Sequence, residues 1–171
     1  MSMRLYLMRH GSAEERNASG ADAQRALTAR GRARVEAVAR GLAALGVEPK
    51  EVWSSPLLRA RQTAEIVAHR LGVPAKRIHL TQSLVPEAAP RRFLAELAEM
   101  AKRGRGQGDD VLCCGHAPHL DDLLAECLGL GAQPRTALKK AGVACLEMAL
   151  PPKEAARLEW LLPPAALRRM R

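Results

Sequence analysis

Short apolar runs alternate along this chain with longer segments in which apolar positions recur every three or four residues. The runs at 4–8, 51–54, 78–80 and 110–114 have the length of buried strands. The segments at 28–45, 57–71 and 93–100 have the period of a helix with one apolar face. Strands that alternate with helices predict a three-layer α/β/α sandwich around a mostly parallel sheet.

Capping residues define where these helices should begin. Thr28 is placed to cap the first helix, and Ser55 with Pro56 is expected to cap and open the second. Arg59 would then lie in the first turn of the second helix. Pro118 is expected to open a further helix that ends near residue 128.

The last third of the chain predicts a hairpin that completes the sheet. Segments 142–150 and 156–162 have strand character and flank Pro151 and Pro152. The glycine-rich stretch 102–108 is expected to be a surface loop, and the Arg-rich end, 167–171, a solvated or frayed surface. Because no domain linker separates these parts, residues 1–171 are predicted to form a single domain.

Length and composition narrow the class of protein. The chain has 171 residues, 47% of them hydrophobic but only 2% aromatic, so the core must consist mainly of aliphatic side chains. No apolar run reaches the roughly 18 to 20 residues of a membrane helix, and no secretory signal is evident. We therefore expect a cytoplasmic protein with no membrane association.

The four cysteines do not resemble a disulfide framework. Cys113 and Cys114 are neighbours in one predicted strand, so their side chains should point to opposite faces of the sheet. Together with Cys127 and Cys145 they are predicted to be reduced, mostly buried thiols.

A formal net charge of +9 is compatible with an anionic substrate, a nucleic acid or an acidic protein. Nucleic-acid sites generally add aromatic stacking residues, which are almost absent here, so a nucleic-acid partner is not favoured.

Two histidines occupy equivalent places in the predicted sheet. His10 and His116 each follow a core strand directly, and each adjoins a glycine that permits close approach of a ligand. Since ligands bind at the carboxyl ends of parallel strands, the two rings could meet in one crevice. Arg9 and Arg59 would supply planar guanidinium groups that match phosphate oxygens. This set suits transfer of a phosphoryl group to an imidazole nitrogen.

Zinc binding is the alternative explanation for paired histidines. The spacings of chelating helix pairs are absent around His10, and Pro118 separates His116 from His119. We therefore predict no metal site and no cofactor.

The order of these motifs resembles the histidine phosphatase superfamily. The resemblance rests on Leu7 to Gly11, on Leu27, Thr28 and Gly31, on the segment 54–64 (Ser-Ser-Pro-Leu-Leu-Arg-Ala-Arg-Gln-Thr-Ala), and on Gly115-His116. It implies a phosphoglycerate mutase-like fold, His10 as the nucleophile, Arg9 and Arg59 as phosphate ligands, and His116 as a further phosphate contact. It also implies a route that requires no metal.

The short length and the segment Gly115 to His119 look most like the SixA-type phosphohistidine phosphatases. This likeness implies that the phosphorylated substrate is a protein histidine. A small-molecule phosphomonoesterase, acting on a sugar phosphate, nucleotide or similar compound, is the alternative on the same scaffold. A basic module that binds nucleic acid or an acidic protein is a remote third.

In family members that hydrolyse esters, a loop between the positions of Arg59 and His116 supplies an acid that protonates the alkoxide leaving group. Glu87 is the candidate here, although Ala88, Ala89 and Pro90 replace the glycine-rich continuation usual in the family. Phosphohistidine requires this acid less, because its imidazole leaving group has a pKa near about 6.5.

Two further expectations concern the phosphate itself. Ser12 is a weaker candidate for a phosphate contact, and Asn17 weaker still. The rate is expected to fall in acid as His10 is protonated and in alkali as a partly cationic His116 loses its charge. His69 and His79, away from strand ends, are predicted to be surface or packing residues.

Overall fold

Six strands form one mixed sheet in the computed structural model of this chain, which describes residues 2–15, 20–102, 109–131, 136–149 and 154–170. The strands are β1 (Ser2–Arg9), β2 (Glu51–Ser54), β3 (Ile78–Leu80), β4 (Val111–Gly115), β5 (Val143–Ala149) and β6 (Arg157–Leu162). Their order across the sheet is β3-β2-β4-β1-β5-β6.

The first four strands run parallel, and β5 runs antiparallel to both β1 and β6. The predicted mostly parallel sheet with a closing hairpin is therefore confirmed. The turn predicted at Pro151 and Pro152 lies outside the described residues.

Five α-helices connect or follow these strands in the described part of the chain. They are α1 (Ala29–Ala44), α2 (Leu58–Arg70), α3 (Pro90–Lys102), α4 (His119–Cys127) and the short α5 (Pro164–Leu167). Thr28 caps α1 as predicted, since its hydroxyl accepts a hydrogen bond from the Gly31 amide at 2.9 Å. Of the predicted loop 102–108, Lys102 belongs to α3, and the remainder lies outside the described residues.

The expectation that Ser55 and Pro56 open α2 is wrong. The helix begins at Leu58, and Ser55 still follows the sheet, because its amide donates to the carbonyl of Cys114 at 3.0 Å. Its hydroxyl accepts from the Leu57 amide at 3.3 Å and also contacts a histidine side chain described below. Arg59 nevertheless lies in the first turn of α2, as predicted.

Two apolar layers sandwich the sheet and confirm the three-layer architecture. Helices α1, α2 and α5 cover one face, where Met8, Val52 and Cys114 contribute to the core. Helices α3 and α4 cover the other face, against Leu7 and Cys113. Cys113 and Cys114 thus point to opposite faces, and all four cysteines are buried free thiols. Burial raises the pKa of Cys127 to about 12 and that of Cys145 to about 11, so these thiols remain protonated.

The C-terminal end departs from the expected solvated tail. Leu167 is fully buried in α5 and packs against α1, where the Leu167 carbonyl approaches Gly41 too closely for any side chain there. Burial of the Leu167 side chain stabilises the packing of this segment on α1, although the arginines that follow it are polar. Arg168 and Arg169 are exposed as expected, and Arg171 lies outside the described residues. Within the described ranges, no helix combines the length and apolar character needed to span a membrane.

Candidate active site

Strand register brings the two predicted histidines side by side. Arg9 pairs with Gly115 at the carboxyl ends of the adjacent strands β1 and β4, so the next residues, His10 and His116, leave the sheet together. The His10 amide donates to the Gly115 carbonyl at 3.0 Å. The two imidazole centroids are 5.1 Å apart with the rings inclined at 56°. Both rings are almost completely buried.

The backbone fixes the tautomer of His10. Its Nδ1 lies 2.6 Å from the carbonyl oxygen of Gly11, which can only accept, so Nδ1 carries the proton and Nε2 keeps its lone pair. The Gly11 amide in turn donates to the Thr63 hydroxyl at 3.1 Å, and that hydroxyl donates to the Arg59 carbonyl at 2.7 Å. Thr63 therefore ties the histidine loop to the first turn of α2.

The His10 ring is neutral at neutral pH. Burial, which penalises the charged imidazolium, lowers its pKa from 6.5 to about 4, and the positive charges of Arg59, Arg9 and Lys140 act in the same direction. The hydrogen bond to Gly11 opposes this shift without cancelling it. A neutral imidazole with a free Nε2 lone pair is the form that can act as a nucleophile.

His116 is oriented by Ser55. The Ser55 hydroxyl lies 2.9 Å from Nε2 of His116 and already accepts the Leu57 amide, so its own proton is available for Nε2. When the Ser55 hydroxyl donates to Nε2, the ring proton is on Nδ1, which has no hydrogen-bond partner among the described residues. A buried N–H without a protein partner is a donor available to a ligand.

His116 is neutral in the protein without a bound phosphate, and its partly cationic state beside a phosphate stays a prediction. Burial lowers its pKa to about 3, and the neighbouring His10 and Arg59 lower it further. Because the proton sits on Nδ1, a neutral His116 can still donate a hydrogen bond to a phosphate oxygen. His116 therefore does not need a positive charge to bind a phosphate oxygen, and an alkaline fall in rate would not have to come from its deprotonation.

Arg59 reaches the same crevice from α2, with only 4% of its surface exposed. Its Nη2 donates to Asp22 Oδ2 at 3.1 Å and its Nη1 to the Asp22 carbonyl at 3.0 Å. Asp22 also accepts from Nε of Arg25 at 2.8 Å. The negative charge of Asp22 acts to raise the pKa of His116, against the larger effect of burial, so this carboxylate lies beside the crevice.

Arg9 is half-buried beside His10 and is held by the segment that precedes β5. Its Nη1 donates to the Leu138 carbonyl at 2.9 Å. The Leu138 amide donates to Oδ1 of the buried Asp121 at 2.8 Å. Arg9 is thus fixed at the edge of the crevice next to β5.

Ser12 lies near the site because it follows Gly11 and is anchored to α1. Its carbonyl accepts the Thr28 amide at 3.0 Å, and Gly31 passes close enough that a Cβ there would lie 2.1 Å from that carbonyl oxygen. A phosphate contact by Ser12 stays a prediction. Asn17 lies outside the described residues.

Glu87 is not brought into the crevice. It is exposed in the turn between the 3-10 helix Gln82–Leu84 and α3, where the Ala88 amide closes the turn on the Val85 carbonyl. Among the described residues it has no hydrogen bond or ion pair with any group of the site. Its role as an acid stays a prediction.

The other histidines lie outside the crevice or have packing roles. His69 is exposed, whereas His79 pairs with Glu51 and stacks on Trp53, which confirms both as surface or packing residues. His119 is buried at the first turn of α4. Within the described ranges, no group of three or more His, Cys, Asp or Glu has the geometry of a metal site.

Sequence reasoning missed three residues that the site uses. Ser55 and Thr63 stand inside the segment 54–64. In the structure both are buried, and buried polar side chains are generally hydrogen-bonded, as these are within the site. Thr63 follows Arg59 by four residues, the spacing at which a threonine hydroxyl bonds the carbonyl one helical turn earlier. Asp22 carries no comparable signal, because nothing local relates it to Arg59, 37 residues later.

The crevice therefore combines a neutral nitrogen nucleophile, a neutral N–H donor and two guanidinium groups, all at the carboxyl ends of β1, β2 and β4. A model of the histidine phosphatase superfamily, branch 1, matches residues 5–84, which include Arg9, His10 and Arg59. The phosphohistidine phosphatase SixA of Escherichia coli is 32% identical over 125 residues, covering 72% of this chain and 73% of that protein. The chain belongs to the histidine phosphatase superfamily.

Two further comparisons agree with this assignment. An uncharacterized protein of Picosynechococcus sp. is 38% identical over 143 residues, covering 82% of each chain. The structure of the protein histidine phosphatase SixA complexed with tungstate has a TM-score of 0.83 at 28% identity. That likeness covers 96% of this chain and 99% of the other. This histidine phosphatase thus shares the phosphatase fold along nearly its whole length.

Proposed function

We propose that this phosphatase hydrolyses a protein phosphohistidine through a covalent phosphohistidine intermediate on His10, without a metal ion. The observation that carries the proposal is the pair of buried imidazoles, 5.1 Å apart, with opposite hydrogen-bonding roles. His10 offers a lone pair on Nε2, whereas His116 offers a proton on Nδ1. One group can attack phosphorus while the other binds a phosphate oxygen.

In the first step, the Nε2 lone pair of His10 forms a bond to phosphorus while the bond from phosphorus to the leaving nitrogen breaks. The leaving imidazole takes the electron pair of that bond and a proton from water, and the resulting hydroxide is neutralised by a proton from the water that attacks in the second step. Arg9, Arg59 and His116 bind the equatorial oxygens, where charge is spread in the transition state. In the second step, water attacks phosphorus, the bond to Nε2 breaks, and inorganic phosphate and neutral His10 are regenerated.

The surroundings of the site favour a leaving group that needs little protonation. Glu87 is exposed and has no hydrogen bond or ion pair with the site among the described residues, and Asp22 is ion-paired with two guanidinium groups, a state in which it accepts rather than donates hydrogen bonds. An imidazole leaves more easily than an alkoxide, whose conjugate acid is far weaker. The names of the SixA relatives support the same substrate class, and the tungstate bound by one of them is an oxyanion that resembles the phosphoryl group.

A hydrolysis screen tests the proposal. Phosphohistidine peptides are compared with sugar phosphates, nucleotides and phosphoserine peptides, with His10→Ala as the blank. We expect the highest kcat/KM on phosphohistidine and a phosphoenzyme in the native chain that His10→Ala lacks. Preference for an ester by a factor of about ten or more would reject the phosphohistidine assignment in favour of the phosphomonoesterase.

The Glu87→Ala variant tests whether the imidazole and alkoxide leaving groups differ in their need for an acid. If Glu87 acts as an acid, the variant loses ester hydrolysis and keeps phosphohistidine turnover, because only the alkoxide needs the proton. Its position predicts that both activities remain within about twofold of the native values. Equal and large losses on both substrates would contradict the leaving-group argument.

A further inference from the structure

The turn before β5 is hydrogen-bonded directly to the end of β1, where Arg9 and His10 lie. The amide of Ala141 donates to the carbonyls of both Arg9 and His10, at 3.0 and 3.2 Å, and the Arg9 amide donates to the Gly142 carbonyl at 3.2 Å. Leu138 adds the contacts with Arg9 and Asp121 described above. Residues 138–142 are therefore part of the wall of the active site.

The conformation of this turn is unusual for its sequence. Ala141 has a φ of 60°, a left-handed conformation that alanine rarely adopts, and it is fully buried. The hydrogen bonds to Arg9 and His10 hold it there, and the Gly142 amide closes the turn on the Lys139 carbonyl at 2.7 Å. The positions of the two residues before it, Lys139 and Lys140, are set by the same bonds.

The cations of the site lie at two depths. Arg59 is buried and Arg9 half-buried, at the level of the His10 ring, whereas Lys140 is exposed. The Lys140 charge nevertheless contributes to the lowered pKa of His10, so its ammonium group lies within electrostatic range of the nucleophile. Lys139, equally exposed, is not among the leading charges that act on His10. Arg59 and Arg9 are therefore placed to bind the phosphoryl group, and Lys140 is placed to bind a substrate group next to it.

We propose that Lys140, held at the rim by the turn bonded to Arg9 and His10, forms a subsite for a second anionic group of the substrate. This inference rests on the proposed function and names the substrate more closely. The second group is the carboxylate of an Asp or Glu close to the phosphohistidine in a protein. The same chemistry would bind a carboxylate on a small phosphorylated molecule.

Two phosphohistidine peptides test the subsite. They are identical except that Glu or Gln flanks the phosphorylated residue, and the readout is the ratio of their kcat/KM values. A single exposed ion pair predicts a ratio of about two to five in favour of Glu. Lys140→Gln should bring the ratio to about one, Lys140→Glu should invert it, and Lys139→Gln should leave it unchanged. Inversion is informative because a misfolded variant would lose both activities together.

Salt provides an independent readout. The preference for the Glu peptide should shrink as ionic strength rises, since the Debye length falls from about 10 Å at 0.1 M to about 3 Å at 1 M. Three results would each overturn the subsite. The native chain could show a ratio of one, or Lys140→Gln could keep the preference for the Glu peptide. The third is that Lys139→Gln loses this preference as much as Lys140→Gln does.

A different pair of substrates keeps the subsite testable if the proposed function fails. Should phosphohistidine peptides resist hydrolysis while p-nitrophenyl phosphate is cleaved, the proposed function is rejected. The ratio is then measured on an aryl phosphate that carries a carboxylate and on its uncharged counterpart. A ratio above one that depends on Lys140 supports the subsite for small molecules, and a ratio of one rejects it.

Discussion

Two clusters of histidine, arginine and carboxylate lie on the same sheet, and they balance their charges differently. On β2 and β3, the buried Glu51 accepts from Nη1 of Arg77 at 2.8 Å and pairs with Nε2 of His79 at 2.6 Å. The His79 ring also stacks on Trp53 at 4.9 Å. Both carboxylate oxygens of Glu51 are thus partnered within the protein.

At the crevice, by contrast, the leading charges that act on His10 are those of Arg59, Arg9 and Lys140, with the Asp22 carboxylate paired to Arg59. His116 keeps an N–H without a protein partner in the same part of the chain. Similar residue types therefore form a structural cluster where one carboxylate pairs with both cationic groups, and a binding site where the cations next to His10 outnumber the carboxylate that pairs with them. The difference predicts which arginine supports catalysis and which supports folding.

The largest contrast is expected between Arg59→Gln and Arg77→Gln. Loss of one fixed donor to transition-state charge costs roughly 100- to 1,000-fold, so Arg59→Gln should lower kcat/KM by at least about 100-fold. Arg77→Gln should leave kcat/KM within about twofold but lower the free energy of unfolding by about 1 to 3 kcal/mol, because Glu51 is buried. Steady-state kinetics and urea unfolding of both variants measure the contrast. Similar activity losses in the two would show that the clusters do not differ as described.

The sequence was sufficient to predict one of these clusters but not the other. His10, Arg59 and His116 were found because each follows a strand or opens a helix, and strand ends in a parallel sheet converge. Glu51, Arg77 and His79 have no motif, and their pairing depends on the register of β2 against β3. Long-range pairing of this kind is not encoded in local patterns.

The same limit explains the remaining differences between prediction and structure. Most strand and helix bounds followed from periodicity and capping, which are local signals. The placement of Ser55 against His116, of Asp22 on Arg59 and of Leu167 in the core depends on contacts between distant segments. Local pattern also could not reveal that burial would keep His116 neutral.

The second prediction tests the backbone rather than the charges that support the site. A Cβ at Gly31 would lie 2.1 Å from the Ser12 carbonyl oxygen, and one at Gly41, in the same helix, 1.9 Å from that of Leu167. Both Gly→Ala variants should be destabilised by about 1 to 3 kcal/mol, because backbone must move. Only Gly31→Ala should also lower kcat, by about tenfold or more, since Ser12 adjoins the His10 loop.

Thermal unfolding and steady-state kinetics of the two glycine variants, measured below their melting temperatures, separate these effects. An unchanged kcat in Gly31→Ala, or an equal fall in Gly41→Ala, would show that the close approach at Ser12 does not serve the active site.

The third prediction concerns pH. The folded-state pKa of His10 is lowered to about 4 and that of His116 to about 3, against about 6.5 in the unfolded chain. Between pH 6.5 and these values the unfolded chain binds protons that the folded protein does not, so stability falls as pH decreases. Each histidine contributes at most about 1.4 kcal/mol per pH unit in that window.

Urea unfolding at several pH values between about 4.5 and 7 should show a shallower pH dependence in His10→Asn than in the native chain. The acid limb of kcat/KM should lie below about pH 5, lower than an unperturbed imidazole would give. An acid limb near pH 6.5, or an unchanged slope in His10→Asn, would show that burial does not hold the ring neutral.

The smallest effect is expected from Asp22→Asn, which addresses the carboxylate that binds Arg59. The guanidinium keeps its charge but loses a charge-assisted hydrogen bond at 3.1 Å, so its orientation is less restricted. We expect kcat/KM to fall about three- to tenfold, mainly through KM. Arg25→Gln is the matched control, because Arg25 contacts the other oxygen of Asp22, and should change kcat/KM by less than about twofold.

The affinity for tungstate, measured by inhibition, determines how Asp22 acts. If Asp22 positions Arg59 for the phosphoryl group, Asp22→Asn weakens tungstate inhibition together with substrate binding. If the carboxylate instead competes with the phosphoryl group for Arg59, the same variant strengthens tungstate inhibition. Asp22 accepts from both Nη1 and Nη2 of Arg59, through its backbone carbonyl and its carboxylate, so it fixes the plane of the guanidinium, which favours the positioning role.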